Sequence, residues 1–367
     1  MKVIANRFKV IFPKLISQEQ AGFIAGWNIS NNIILAQEVI HSMRCKQMGR
    51  NWMAIKLDLE KAYDRVSWDY INDALTAVGI PIFLRRVIMS AITSSSMQIL
   101  WNGVPTRKFK LVRGIHQGCP LSPYLFVLCM KGLGHSIRAN RDASKWKSIW
   151  LSRSGPELLH LFFAGDLVIF CKAQLEQARL LESILKLFCA NSGHRISVRK
   201  SNIYFSKSTE GGVPLLHERV TSSMLGFIVE KVRRKLQNWD ARKLSIVGRI
   251  TLAKSVLLSI PNYFMQSLMI LKGVCFDIEK FVRQFIWGST EGPTKMSLVK
   301  WDSICQPRAR GGLGFRHLSD QNTSFLMKIE FSLASKSNAL WVLVLRSKYG
   351  WEDHLPDSIS KNHCSHL

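Results

Sequence analysis

Acidic side chains are scarce in this 367-residue chain: 25 Asp and Glu face 51 Lys and Arg, a formal net charge of +26. Such an excess repels itself unless an anionic partner is near, and the commonest polyanion able to cover it is a nucleic-acid backbone. An acidic membrane surface is the competing explanation. Long apolar runs are lacking as well. The uncharged stretch 255–271 is broken by Pro261, Asn262 and Gln266 and falls short of the ~20 apolar residues of a membrane-spanning helix, so no span is expected. No secretory leader is expected, because Lys2, Arg7, Lys9 and Lys14 interrupt any apolar run at residues 1–15, where Ile4, Phe8, Ile11 and Leu15 instead predict a core helix. CxxC pairs are missing too. Cysteines at 45, 119, 129, 171, 189, 275, 305 and 364 lie far apart, as free thiols do in a reducing compartment. His363, Cys364 and His366 make a weak zinc cluster beside the chain end. There is no internal repeat and no low-complexity tract.

What is present can bury a core. With 47% hydrophobic and 21% charged residues, most of the chain is globular, and the length suggests two or three domains. Over 51–205, short apolar strands alternate with helical patterns. Met53, Ile55 and Leu57 predict a strand ending at Asp58, then a helix presenting Trp68, Ile71, Leu75 and Val78 and stopping at Gly79. A helix with Leu84, Val87, Ile88 and Ile92 leads to a strand over 97–100 and an Asn102-Gly103 turn. A helix is predicted over 122–137. The segment 160–170 reads as a buried hairpin whose halves, LFF and LVIF, flank Ala164, Gly165 and Asp166. A helix through Leu180, Ile184, Leu187 and Phe188 ends at Gly193, before a strand over 203–205. This order predicts an α+β layer with helices on one face of a mainly antiparallel sheet. SKSTEGG (206–212) reads as a linker, and a second break falls at 288–294. Between them Leu225, Ile228, Val232, Leu236 and Trp239 keep helical spacing, with eight Lys/Arg over 231–254 opposed only by Asp240.

Asp58 at a strand end and Asp166 in a hairpin turn can converge on Mg²⁺ ions, although an aspartate in a turn is also ordinary turn chemistry. Four segments occur in order around them: KLDLEKAYDRVSW (56–68), RGIHQGCPLSPYLF (113–126), HLFFAGDLVIF (160–170) and SGHRISVRKSNIYFS (192–206). This series resembles the reverse transcriptase domain of plant LINE-type (non-LTR) retrotransposons. The resemblance continues through QEQAGFIAGWNISNNIILAQE (18–38), KLQNWDARKLSIVGRITLAKSVLLSIPNYFMQ (235–266) and CQPRARGGLGFRHLSDQN (305–322).

The resemblance implies a right-hand polymerase: partial fingers over 1–50, a palm over 51–206, a helical thumb over 213–272 and a C-terminal connection segment over 273–367. It implies RNA-directed DNA synthesis on an RNA template and a DNA primer, from deoxynucleoside triphosphates, with two Mg²⁺ ions held by Asp58 and Asp166. Tyr63 matches the aromatic that selects deoxynucleotides, Gln117 and Gly118 the pair against the incoming nucleotide, and Lys200 a lysine near the triphosphate; a surface strand lysine is the plainer alternative for Lys200. Ser122-Pro123 is expected to cap the following helix. Arg233, Arg234, Lys235, Arg242, Lys243 and Arg249 would track the template-primer backbone, against a solvated basic face as the alternative. KVRRK (231–235) could serve as a nuclear signal, matching the nuclear location expected of the family.

Departures from the family pattern carry as much weight. The hairpin turn normally reads FADD and here reads FAGD, so Gly165 replaces a metal-binding aspartate and this copy is expected to be inactive. Trp27 stands where arginine is usual, and His116 and Cys119 where arginine and aspartate are frequent. STEGGVPLL lacks a tyrosine-leucine, which suggests a small deletion; upstream fingers, endonuclease and ribonuclease H segments are expected to be absent. Two other readings compete: a non-catalytic nucleic-acid-binding remnant and a group II intron maturase. WDARKLSIVGR favours the LINE family over the maturase.

Overall fold

A computed structural model of the chain describes residues 1–44, 51–206, 222–237, 239, 243–288, 299–335 and 338–351. The linker after Ser206, Cys45, Asp240, Arg242, most of the 288–294 break and the cluster of His363, Cys364 and His366 lie outside the described residues. By packing, the chain divides into two units, Met1–Leu215 with Asn338–Glu352 and Leu216–Ser337 with Asp353–Leu367.

The first unit begins with α1 (Lys2–Leu15), whose buried stripe is Ala5, Phe8 and Phe12. Ile11, predicted on that stripe, is exposed, because the Phe8-Phe12 spacing wins the face that meets Tyr124. Next come α2 (Ile29–Arg44), β1 (Trp52–Asp58), the single turn α3 (Ala62–Arg65), α4 (Trp68–Ala77) and α5 (Ile82–Thr93). The strand expected over 97–100 is split into β2 (Ser96–Met97) and β3 (Leu100–Trp101). β3 pairs with β4 (Val104–Pro105) across Asn102 and Gly103, both at positive φ, while β5 (Phe109–Lys110) pairs with β2.

Helix α6 (Ser122–Asp142) follows. Its start corrects the expected cap: Leu121 holds the capping position, no side-chain cap bond forms, and Ser122 is already inside the first turn. The hydroxyl arrives one residue too late to serve the free N–H groups. After the short pair β6 (Ile149–Trp150) and β7 (Glu157–Leu158) come β8 (His160–Phe163), β9 (Asp166–Lys172), α7 (Leu175–Ser192), a 3₁₀ turn over Val198–Lys200 and β10 (Asn202–Phe205).

Four of these strands form a fully antiparallel sheet ordered β10-β1-β9-β8. Met53, Ile55 and Leu57 of β1 and Leu167, Ile169 and Cys171 of β9 share one core with α4, α6 and α7. The sheet was expected to be covered on one face only. Ala54, Leu161 and Phe170, on the alternate positions, are buried as well, and α2 packs against β8.

In the second unit, α8 (Ser222–Gln237), α9 (Ile246–Leu252), a π-helical turn over Ala253–Leu257, α10 (Ser259–Met265), α11 (Lys272–Trp287), α12 (Trp301–Cys305) and α13 (Leu318–Ser335) build a helical core. Leu225, Ile228, Val232 and Leu236 are all buried in it, as their spacing predicts. The carboxylate of Glu279, itself buried, accepts from Trp301 Nε1 at 2.9 Å and from the Leu318 N–H at 2.7 Å. The chain then returns to the first unit as α14 (Leu340–Tyr349), which packs on α2. Among the described residues no helix is long and apolar enough to cross a membrane.

Candidate active site

The register of β1 and β9 sets Asp58 directly opposite Asp166. Residues facing each other in an antiparallel pair project to the same side with Cβ atoms about 4.5–5.5 Å apart, so both carboxylates can reach one cation. Asp166 is therefore the first residue of a strand, paired with Phe163 across a two-residue turn of Ala164 and Gly165, not a member of the turn as its polarity suggested. The backbone of Asp58 is fixed from the 197–201 segment. Its carbonyl accepts from the Ser197 N–H at 2.8 Å, and its N–H donates to Ser201 Oγ at 3.3 Å. Lys200 lies in the 3₁₀ turn before β10, not in a strand, and its Nζ stands 3.7 Å from Asp58 Oδ2. That lysine is exposed, so the pair is screened and weak.

Gly165 has room around it. A Cβ there would meet the Phe126 ring edge at 3.8 Å and the Ala62 Cβ at 3.9 Å, ordinary contact distances. Phe126 in turn stacks on Tyr63, ring centroids 4.8 Å apart and planes 14° from parallel. Tyr63 thus sits on an aromatic shelf reached from position 165, and burial raises its phenol pKa. The Tyr63 carbonyl accepts from the Ile115 N–H at 2.8 Å, and Trp68 Nε1 donates to the Gly114 carbonyl at 2.8 Å. Gly114 permits this docking, since a Cβ would lie 2.6 Å from the Asp64 carbonyl oxygen and its φ is +85°. From that anchor the loop runs to Gln117 and Gly118, both exposed, with Gly118 at φ +95° and open space around it.

Two supports escaped the sequence reading. Phe126 closes the 113–126 segment as one more apolar residue of a helix, with nothing in the sequence to set it apart. His194, in the RISV-containing segment, is buried, stacks on Phe188 at 5.5 Å and holds Ser192 Oγ at 2.9 Å from Nδ1; burial pushes its imidazole down to about 4. No spacing rule points to either. Among the described residues no group of three or more His, Cys, Asp or Glu could hold a metal ion.

The cationic residues of the second unit divide by engagement. Arg233 places its guanidinium 5.2 Å from the Phe281 ring and 3.9 Å from Glu230, while Arg234 and Lys235 are exposed on α8. Lys243 is exposed; Arg249 is half-buried, with its Nη1 2.5 Å from where a Cβ on Gly288 would stand. Arg242 lies outside the described residues.

Residues 1–229 match the family described as reverse transcriptase (RNA-dependent DNA polymerase). An Arabidopsis thaliana protein named for ribonuclease H is 36% identical over 137 residues, which is 37% of this chain and 22% of that relative. The retrovirus-related Pol polyprotein from type-1 retrotransposable element R2 of Popillia japonica is 37% identical over 102 residues, 28% of this chain and 16% of that protein. The matched stretches thus span less than a quarter of either relative. Among solved structures, apo telomerase from Candida tropicalis aligns over 94% of this chain and 60% of that one, at 11% identity and a TM-score of 0.45.

Proposed function

The chain belongs to the reverse transcriptase (RNA-dependent DNA polymerase) family, as the reverse transcriptase domain of a non-LTR retroelement, and from that premise we propose that its nucleotidyl-transfer site is impaired at a single position, Gly165. The observation that carries this reading is the facing pair Asp58 and Asp166 with an unfilled side-chain position beside it. Asp58 and Asp166 are the residues that would hold Mg²⁺, hard oxygen donors suited to a hard cation. A divalent ion held there would supply Lewis-acid activation for the attacking 3′-hydroxyl and charge stabilisation for the leaving oxygen. With two carboxylates and a glycine, the residues fit one divalent ion better than two.

Around that pair the chain's own groups take stated roles. Tyr63, on its Phe126 shelf, lies against the sugar of the incoming deoxynucleotide, and Gln117 and Gly118 against its base. Lys200, near Asp58, offers its ammonium to the triphosphate. Residues 1–50 act as fingers, 51–206 as palm, 213–272 as thumb and 273–367 as the connection segment, with RNA template and DNA primer as partners. Loss of a carboxylate at 165 removes several kcal/mol of transition-state stabilisation, enough to bring synthesis below detection. The second reading, a nucleic-acid binder without chemistry, is favoured by Gly165 itself.

Primer extension on an RNA template with Mg²⁺ or Mn²⁺ tests both. The unaltered chain should give no product above background, and Gly165→Asp should gain template-dependent synthesis. Robust extension by the unaltered chain would overturn the impairment. Inactivity of Gly165→Asp with RNA-DNA binding intact would move the decisive defect away from the hairpin and support the binder.

A further inference from the structure

We infer that Gln20 is a positioning residue for the candidate metal site: its side-chain oxygen fixes the Ala164-Gly165 turn, and through it the placement of position 165 and Asp166 against Asp58. The role at the metal site rests on the reading of Asp58 and Asp166 as cation-holding residues above; the hold on the turn does not.

Segment 17–22 runs along the open edge of the palm sheet as a short parallel strap. The Phe162 N–H donates to the Glu19 carbonyl at 2.7 Å, the Ala21 N–H donates to the Phe162 carbonyl at 2.9 Å, and Gln20 bridges Phe162. Asn32 Nδ2 donates to both of those carbonyls, at 3.1 and 3.0 Å, stitching strap to strand from α2. Arg138 of α6 anchors the other side, 3.3 Å from Glu19 Oε1 and 3.1 Å from Ser17 Oγ. The strap therefore cannot slide without breaking bonds on three elements.

From this fixed base Gln20 reaches the turn. Its Oε1 accepts from the Ala164 N–H at 3.1 Å and from the Gly22 N–H at 3.0 Å, with the side chain only 4% exposed. Its Nε2 is buried with no hydrogen-bond partner. An orphan buried donor is destabilising, so a glutamine here is explained by what its oxygen does. Ala164 needs the help, since it holds φ +52°, a left-handed conformation that a non-glycine residue keeps only when its surroundings impose it. Gly22 completes the clamp. A Cβ on it would stand 2.5 Å from the Ala164 nitrogen, so the approach of strap to turn is as close as a backbone allows.

The test compares Gln20→Met, which fills the same space without an acceptor, with Gln20→Glu, which keeps the acceptor, in the full chain. Hydrogen–deuterium exchange should rise about tenfold at the turn amides of 163–165 in Gln20→Met and return to within about twofold in Gln20→Glu, with the β9 amides unchanged. Mn²⁺ titration in the Gly165→Asp background should show affinity falling about threefold or more with Gln20→Met and recovering with Gln20→Glu. Unchanged turn exchange in Gln20→Met, or exchange rising equally through β9, would overturn the role of Gln20. So would an unchanged Mn²⁺ affinity in a chain that binds the ion. A Gly165→Asp chain that binds no Mn²⁺ while the exchange contrast persists would instead defeat the cation-site reading and leave Gln20 as the holder of the turn.

Discussion

Gly165 differs from the glycines that the fold requires. At Gly22, Gly114 and Gly193 a Cβ would fall 2.5, 2.6 and 2.7 Å from a backbone atom, whereas at Gly165 it meets only side-chain carbons at 3.8 and 3.9 Å. The first three are demanded by close approach; the fourth is not. Gly165→Asp should therefore fold with a stability change within about 1 kcal/mol, the entropy removed from the unfolded chain offsetting the repulsion of a third carboxylate. Added Mg²⁺ should raise its melting temperature more than that of the unaltered chain, because the ion binds only the folded state. Equal melting shifts would show that position 165 has no part in a cation site. Two buried histidines make a separate residue-scale prediction. Burial lowers both His160 and His194 to about 4, below the ordinary 6.5. The folded chain then binds fewer protons than the unfolded one between those values, so stability is complete above pH 6.5 and drains away as pH falls towards 4, by up to about 3 kcal/mol per histidine. His194→Phe, which keeps the ring stack on Phe188, should make unfolding less steep in that window. An unchanged pH profile would mean that His194 charges freely within the fold.

Elements were legible where one period governs burial and illegible where distant segments decide. The stripe of Leu225, Ile228, Val232 and Leu236 is read directly from a 3.6 spacing, and Asn102-Gly103 from its turn chemistry, because each depends on neighbours in sequence. The partnership of Asp58 with Asp166 spans over a hundred residues, and no local rule sets its register; polarity alone places Asp166 in the turn, and the strand lysine offered as the alternative for Lys200 is a residue of a 3₁₀ turn. The clamp of Gln20 on Ala164 escaped for the same reason. So did the return of α14 to the first unit. There Glu38 of α2, fully buried, binds Lys348 Nζ and accepts from the Tyr349 hydroxyl at 2.9 Å. A buried pair is costly to break from one side. Lys348→Met should destabilise the first unit by about 3–5 kcal/mol by removing the ammonium that neutralises the buried Glu38 carboxylate, and Glu38→Leu with Lys348→Met should recover most of that loss. Chemical denaturation of both variants checks it; a double variant no better than the single would show that shape, not charge pairing, holds α14 to α2.

Across the whole molecule the +26 charge does not depend on the residue at position 165, so binding and chemistry should separate. Each phosphate neutralised by a lysine or arginine releases condensed counterions, which makes affinity fall linearly on a log-log plot against salt, with a slope of about −0.9 per contact on a duplex. The unaltered chain should therefore bind an RNA-DNA duplex with a steep salt dependence even if it synthesises nothing. The three cations at 233–235 will not contribute equally. All three are exposed, but Arg233 also lies 3.9 Å from Glu230 and 5.2 Å from the Phe281 ring, contacts it must share with a phosphate, whereas Arg234 and Lys235 show no such contact among the described residues. Alanine at Arg234 and Lys235 together should flatten the slope by about two, and alanine at Arg233 alone by less than one. Fluorescence anisotropy of a labelled duplex between low and moderate salt measures this. A slope unchanged by the double substitution would return α8 to a solvated basic face and leave the anionic partner to be found by other cations of the chain.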